Sequence, residues 1–200
     1  SLTCSASLNA ISAKAVDLTD TGQIVVDGHL RKLEAGDAPS VSGIQLNGGG
    51  AADRTSMSFR DVGDGGGNAT IILHARLTSL TARSLDARLE IPRGADNITS
   101  LGDAIIDFVM LEDPSFPLAL NSLKAAGAIA LRGQLEGRIN SIVGASVSGS
   151  STITPFFTGD IGKIVSTATG GSGIRGRWTT GRIGLISATS SLLGNWSAPT

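Results

Sequence analysis

The first residues to consider are two acidic side chains that could perform acid–base chemistry. Asp86 and Asp107 each fall nine residues after a recurring aliphatic residue, Leu77 and Ile98 respectively. If consecutive repeats stack in register, the two carboxylates lie about 5 Å apart, the spacing of neighbouring strands. Carboxylates this close can share a proton or hold a cation. They are the candidate catalytic pair, although two exposed acids relieved by Arg88 or by a counter-ion are the simpler interpretation.

Other residue types that could support chemistry are few and poorly spaced. Glycine-rich segments lie beside Asp61 and Asp64, which are weak candidate calcium ligands, and neither segment supplies the lysine of a phosphate-binding loop. The histidines, His29 and His74, lie about two repeats apart and lack a zinc-binding spacing. No serine lies in a G-x-S-x-G motif. We therefore predict no cofactor and no enzymatic activity, with a polysaccharide lyase or glycoside hydrolase as the alternative.

The composition excludes several classes of protein. With 200 residues and a formal net charge of −1, the chain offers no basis for binding nucleic acid or an anionic membrane, and we expect one domain over residues 1–200. No run approaches the 18 apolar residues of a membrane span. Cys4 is the only cysteine, so an internal disulfide is impossible. The 27 glycines and the charged fraction of only 16% suit closely stacked backbone.

A short pattern recurs along the chain and determines the predicted architecture. It consists of an apolar residue, two variable residues, a second apolar residue, one variable residue and a small residue, as in "LNAISA" from Leu8 and "IGLISA" from Ile183. Consecutive copies start about 22 residues apart, and such a fixed period indicates a solenoid. The nine copies start at Leu8, Leu30, Arg54, Leu77, Ile98, Leu120, Ile139, Ile161 and Ile183.

This period predicts an all-β protein, a right-handed parallel β-helix of about nine coils with three short strands in each coil. Leucine-rich repeats have a similar period but need a motif that these copies lack. The apolar residue and the small residue two positions later face inward on a strand, whereas the three-residue step between the two apolar positions requires a corner or bulge. The second apolar column is Ile11, Leu33, Met57, Leu80, Leu101, Leu123, Ile142, Ile164 and Ile186.

Two segments of the sequence are compatible with either a helix or a strand. The stretch "SLGDAIIDFVMLED" has helical spacing, but its register with the repeat favours a strand. The stretch "CSASLNAISAKAV" fits an Ala-rich helical cap as well as a strand. Glycines recur two residues before the first apolar column, and we expect turns with unusual φ there. These glycines are Gly28, Gly137, Gly159 and Gly181.

From Leu8 to Ala188 the repeat resembles the parallel β-helix repeat proteins of bacterial cell surfaces, such as adhesins and secreted passenger domains. The resemblance implies a secreted protein that is extracellular or attached to the cell surface. It leaves the activity open, because β-helices occur as lyases, hydrolases, adhesins and structural rods. A carbohydrate-binding or carbohydrate-active β-helix, with surface polysaccharide as its partner, is the alternative to a structural role.

The two ends of the chain favour self-assembly. A β-helix has open edges at its ends, and "TSSLLGNWSAPT" shows no amphipathic helix to cover one. The 18 residues from Ile183 onward and the 7 before Leu8 make 25 together, close to one further coil. We therefore expect head-to-tail stacking into a filament or a surface layer, with a segment of a longer repeat protein as the alternative. The predicted assembly interface comprises Leu2, Cys4, Leu8, Leu192, Leu193 and Trp196.

Overall fold

A computed structural model describes residues 1–18, 22–39, 42–50, 52–63, 69–110, 118–135, 137–149, 156–169 and 172–197. Within these ranges the chain forms 21 strands and no helix. The strands are β1 Leu2–Cys4, β2 Leu8–Ala13, β3 Gln23–Val26, β4 Leu30–Ala35, β5 Gly43–Leu46, β6 Arg54–Ser58, β7 Asp61–Val62, β8 Ala69–Leu73, β9 Arg76–Ala82, β10 Ser84–Glu90, β11 Ala95–Ser100, β12 Ala104–Met110, β13 Leu118–Ala125, β14 Ala128–Leu135, β15 Arg138–Gly144, β16 Ser146–Gly149, β17 Phe156–Thr158, β18 Ile161–Ser166, β19 Ile174–Thr179, β20 Ile183–Ala188 and β21 Leu192–Ser197.

The strands build two parallel sheets along one solenoid. The nine-stranded sheet, here the repeat sheet, has the order β2-β4-β6-β9-β11-β13-β15-β18-β20 and holds one copy of the motif per strand. The return sheet has twelve strands in the order β1-β3-β5-β8-β10-β12-β14-β16-β19-β17, with β7 beside β10 and β21 beside β19. This architecture confirms the all-β parallel solenoid with coils about 22 residues apart. The nine repeat strands span about eight full turns.

The coils build two sheets, and most contain two strands rather than the three that we predicted, whereas the coils with β6–β8 and β15–β17 contain three. The reason is that the strands of the central coils are longer than four or five residues. In the central coils β9 and β10 have seven residues each, and Arg83 alone separates them. Two long strands and two turns therefore complete the period without a third sheet.

Both apolar positions of the motif face the interior. Leu77 and Leu80, three residues apart on β9, are both fully buried. The pairing of β9 with β11 joins Leu77 to Ala95 and then Ser79 to Asn97, so one residue on each strand is skipped. This interruption confirms the predicted irregularity, because it brings residues three apart onto the same face.

The fifth copy of the motif has a different register from the predicted one. Ile98 lies opposite Leu80 and Leu123, in the second apolar column, and Ala95 takes the first position. Leu101 follows the strand and is 66% exposed, so its predicted place in the column was wrong. A search for large apolar residues misses the true register, because its first position holds the small Ala95. The segment "ITSLGD" matches the same pattern by chance.

One inward column extends through the return sheet from β1 to β21. Its members are Leu2, Ile24, Ile44, Ile71, Leu89, Phe108, Gly133, Phe156, Trp178 and Trp196. Gly133 has a φ of +79° and no side chain, so Phe108 and Phe156 meet across it with ring centroids 6.3 Å apart. The aromatic stack continues through Trp178 to Trp196, with centroid distances of 5.6 and 5.1 Å.

The two segments that allowed a helix both form strands, β2 and β12. The recurring glycines have a different role from the predicted one. Of the four, Gly137 alone has a positive φ, +98°. A Cβ on Gly28 would lie 2.2 Å from the Ser7 nitrogen, and a Cβ on Gly159 would lie 2.5 Å from the Gly137 carbonyl oxygen. Close approach of stacked backbones, rather than unusual φ, therefore explains Gly28 and Gly159.

Candidate functional site

The first surface of interest is the N-terminal end of the solenoid. β1 and β2 each pair on one side only within the described chain. Their inward side chains consequently remain accessible: Leu2 is 43% exposed, whereas its neighbour Ile24 is 4% exposed. An apolar recess of about 260 Å³ opens here beside Ile11 and Val16. We define the N-terminal end face as Leu2, Cys4, Leu8, Ile11 and Ala13.

The second surface is the C-terminal end, where β20 and β21 are the outermost described strands. Leu192 pairs with the fully buried Ile174 yet is 52% exposed, because no described strand lies beyond it. Trp196 stacks on Trp178 at an interplanar angle of 7° and is itself half-buried. We define the C-terminal end face as Ile183, Ile186, Ala188, Leu192 and Trp196.

The two end faces carry matching patterns. The first and last strands of the repeat sheet read "LNAISA" and "IGLISA" and have the same sequence of exposed and half-buried positions. In the return sheet, Leu2 and Trp196 terminate the same inward column. The return sheet has ten layers and the repeat sheet has nine. A second copy in the same orientation that stacks β1 on β21 would therefore continue the column of the return sheet and leave the space of one strand between β20 and β2.

The six predicted assembly residues all lie in the terminal coils. Five belong to the end faces, namely Leu2, Cys4, Leu8, Leu192 and Trp196. Leu193 instead pairs with the exposed Arg175 and is 63% exposed on the outer surface of the return sheet. The prediction omitted Ile11, Ile183 and Ile186, although the repeated motif alone identifies them as inward residues.

The predicted pair of carboxylates is not formed. Asp86 lies opposite Ile105, and Asp107 lies between Arg88 and Arg132 on the neighbouring strands. Opposite charges on adjacent strands stabilise a sheet, whereas a proton-sharing pair needs two adjacent acids. The prediction was wrong because it used an incorrect register for the fifth copy. The two carboxylates therefore do not stack as predicted.

An open groove of about 800 Å³ follows the corner between the two sheets, and several of its carboxylates are engaged in contacts between coils. Asp61 forms an ion pair with Arg83 and accepts hydrogen bonds from the backbone nitrogen and hydroxyl of Ser84 at 3.1 and 2.7 Å. The Arg83 hydrogen bond is the main cause of the lowered pKa of Asp61. Asp103 accepts a hydrogen bond from the Ala128 nitrogen at 2.7 Å.

Arg60 extends this pattern to the N-terminal coils. Its guanidinium contacts Asp17 at 3.1 Å and Asp37 at 2.5 Å, and these carboxylates raise its pKa, Asp37 most strongly. Asp17 also accepts a hydrogen bond from the Asp37 nitrogen at 2.8 Å. The acids of this corner therefore link one coil to the next.

Metal binding finds little support in this geometry. Of the two candidate calcium ligands, Asp61 is committed to Arg83 and Ser84, and Asp64 lies outside the described residues. Throughout the ranges given above, no group of three or more His, Cys, Asp or Glu residues is placed to hold a metal ion.

The histidines also act between coils. His29 Nε2 lies 3.0 Å from the Arg54 carbonyl oxygen, and His74 Nδ1 lies 3.0 Å from the Asn47 carbonyl oxygen. Each imidazole thus bonds to the backbone of another coil.

Sequence reasoning did not identify Glu34, a buried acid on the outward side of β4. Its carboxylate accepts a hydrogen bond of 2.7 Å from the Ser12 hydroxyl and lies 3.0 and 3.2 Å from the ammonium groups of Lys32 and Lys14. These contacts, led by Ser12, lower the pKa of Glu34 to about 2. Glu34 therefore links the first two coils. Its position between Leu33 and Ala35, two inward residues, was the sequence feature that could have placed it on the outward side of the strand.

Comparisons with protein-family models, curated proteins and solved structures find no match to this chain. Among the residues that the structure describes, no helix is long and apolar enough to cross a membrane. The geometry of the two open ends is therefore the feature that points most directly to a function.

Proposed function

We propose that this protein is a structural β-solenoid that assembles end to end into a filament or surface layer outside the cell. The observation that carries the proposal is the match between the two end faces, which terminate the same columns. The extracellular location draws on the resemblance of the repeat to β-helix proteins of bacterial surfaces.

The backbone at both ends favours addition of another copy. Edge strands expose N–H and C=O groups that pair readily with a further strand. All strands here run parallel, so a second copy in the same orientation extends the return sheet at the usual spacing of about 4.8 Å. Such a contact joins unlike surfaces and leaves a free end on each copy, so it propagates into a fibre instead of closing.

The side chains at the proposed junction are apolar and complementary. With β1 stacked on β21, Leu2 of one copy covers Trp196 of the next. Complete burial of one such side chain contributes roughly 1.5–3 kcal/mol, so several together can offset part of the entropy lost on association.

A charge placed in the junction tests the proposal. In Leu2→Lys the ammonium group would face the indole column across the junction, and we expect this variant to remain monomeric where the wild type forms rods. Sedimentation velocity over a range of protein concentrations measures the difference. Leu101→Lys is the matched control, because Leu101 is 66% exposed in a central coil, and it should assemble like the wild type.

Two results would overturn the proposal. One is a wild-type protein that stays monomeric at every concentration tested. The other is a Leu2→Lys variant that assembles as well as the control. Thermal unfolding of each variant establishes that it is folded before assembly is compared.

A further inference from the structure

Charge is distributed unevenly along the solenoid. Residues 161–200 contain four Lys or Arg and no Asp or Glu, a net charge of +4. Residues 1–37 contain three Lys or Arg and five Asp or Glu, a net charge of −2. The chain as a whole has a formal charge of only −1, so its near neutrality conceals two ends of opposite sign.

The cations at the C-terminal end lie close to the open edge and face water. Arg175 and Arg177 are on the outer surface of β19, beside Leu193 and Asn195 of the last described strand, β21. Lys163 is on the outer surface of β18, and Arg182 directly precedes β20. All four cations are exposed. Each lies within one or two strand spacings of the edge, about 5–10 Å, comparable with the Debye length at physiological salt.

The acids at the other end are also close to their edge. Asp27 is exposed just after β3, and the Asp17 carboxylate is 51% exposed in the turn after β2. Arg60 balances part of this charge, but it lies beyond β6, further from the edge. Because Arg60 pairs with both Asp17 and Asp37, counting it reduces the excess of acid in the N-terminal coils from two charges to one.

We propose, building on the end-to-end assembly above, that the basic C-terminal end attracts the acidic N-terminal end of a second copy, so that copies join with a single polarity. Like ends repel one another, whereas unlike ends attract and orient before the apolar faces meet. Electrostatic complementarity of this kind acts mainly on the rate and specificity of encounter, and dissolved salt screens it.

The salt dependence of elongation tests this inference. We measure the elongation rate of preformed wild-type seeds by light scattering at about 20 mM and 500 mM NaCl. A steered encounter predicts a rate at least about tenfold higher at the lower salt concentration. Arg175→Glu/Arg177→Glu removes the net positive charge of residues 161–200, and we expect its rate to vary less than about twofold between the same conditions.

The control makes an identical change of charge away from the ends. Lys124→Glu/Arg132→Glu alters two exposed residues of the central coils and should keep the wild-type salt dependence. A milder variant, Arg175→Gln/Arg177→Gln, should give an intermediate response and replaces the reversal variant if that one fails to fold.

The outcomes separate this inference from the proposed function. If wild-type seeds do not elongate at any salt concentration, end-to-end assembly is itself contradicted. If they elongate equally fast at both concentrations, or if the control and the end variant respond alike, assembly stands and electrostatic steering is overturned.

Discussion

At the scale of single residues, Glu34 shows how a buried charge can stabilise a solenoid near its end. Three contacts, led by the Ser12 hydroxyl and followed by Lys32 and Lys14, hold its pKa at about 2, against 4.5 for an unperturbed Glu. A carboxylate with a lowered pKa in the folded state stabilises that state while it is ionised. Its contribution is complete above about pH 4.5 and is lost as the pH falls towards 2.

Replacement of this carboxylate tests the assignment. We expect Glu34→Gln to lower the melting temperature relative to the wild type at pH 7, because the amide cannot form the two ion pairs. The difference should narrow as the pH falls from 5 to 3, since the wild type then loses the same interactions. Thermal unfolding followed by circular dichroism measures both effects. A difference that is equal at pH 7 and pH 3 would contradict the assignment.

At the scale of strands, the aromatic stack depends on a glycine in β16. A Cβ on Gly149 would lie 2.3 Å from Cε2 of Trp178, which is buried in the return sheet. Neither the indole nor the paired backbone can move without disturbing adjacent strands. The space left by this glycine is therefore what admits the large ring.

We expect Gly149→Ala to destabilise the protein by about 1–3 kcal/mol, the usual cost of overpacking. Because the clash displaces Trp178, a shift in tryptophan emission should accompany the loss. Gly43→Ala is the control: it lies in β5 of the same sheet, and its added Cβ would meet only Gln23 Cγ, at 3.9 Å. Urea unfolding of both variants measures the difference, and equal stabilities would contradict this explanation of Gly149.

The sequence predicts the strands of the repeat sheet well and the registers less well. Large inward residues repeat about every 22 positions, so stacking is visible in the sequence wherever the column holds Leu or Ile. At Ala95 the column holds a small residue, and the apparent match moved to Ile98 and Leu101. Apolar periodicity cannot detect such a substitution, because Ala is frequent on both faces of these strands.

The return sheet was harder to predict, because the turns that lead into it vary in length. One residue, Arg83, separates β9 from β10, whereas residues 101–103 separate β11 from β12. This difference, together with the shifted register, explains why Asp86 and Asp107 are not adjacent. The end faces were identified more completely, because they consist mainly of the same repeated motif.

At the scale of the whole molecule, the column from Leu2 to Trp196 connects fold and function. It shows that the first and last coils present equivalent positions of one repeating structure, and this equivalence allows copies to continue one another. The opposite net charges of the two ends favour joining of copies in a single orientation. The groove at the corner, in contrast, contains acids that link neighbouring coils.

Cryo-electron microscopy of the assembled protein tests the end-to-end claim most directly. The account predicts rods in which the strands of the return sheet remain about 4.8 Å apart through every junction, with an axial repeat of about 48 Å for the ten layers of that sheet. Leu2 of one copy should lie over Trp196 of the next. Separate particles about 48 Å long at high concentration, or copies joined by like ends, would contradict it.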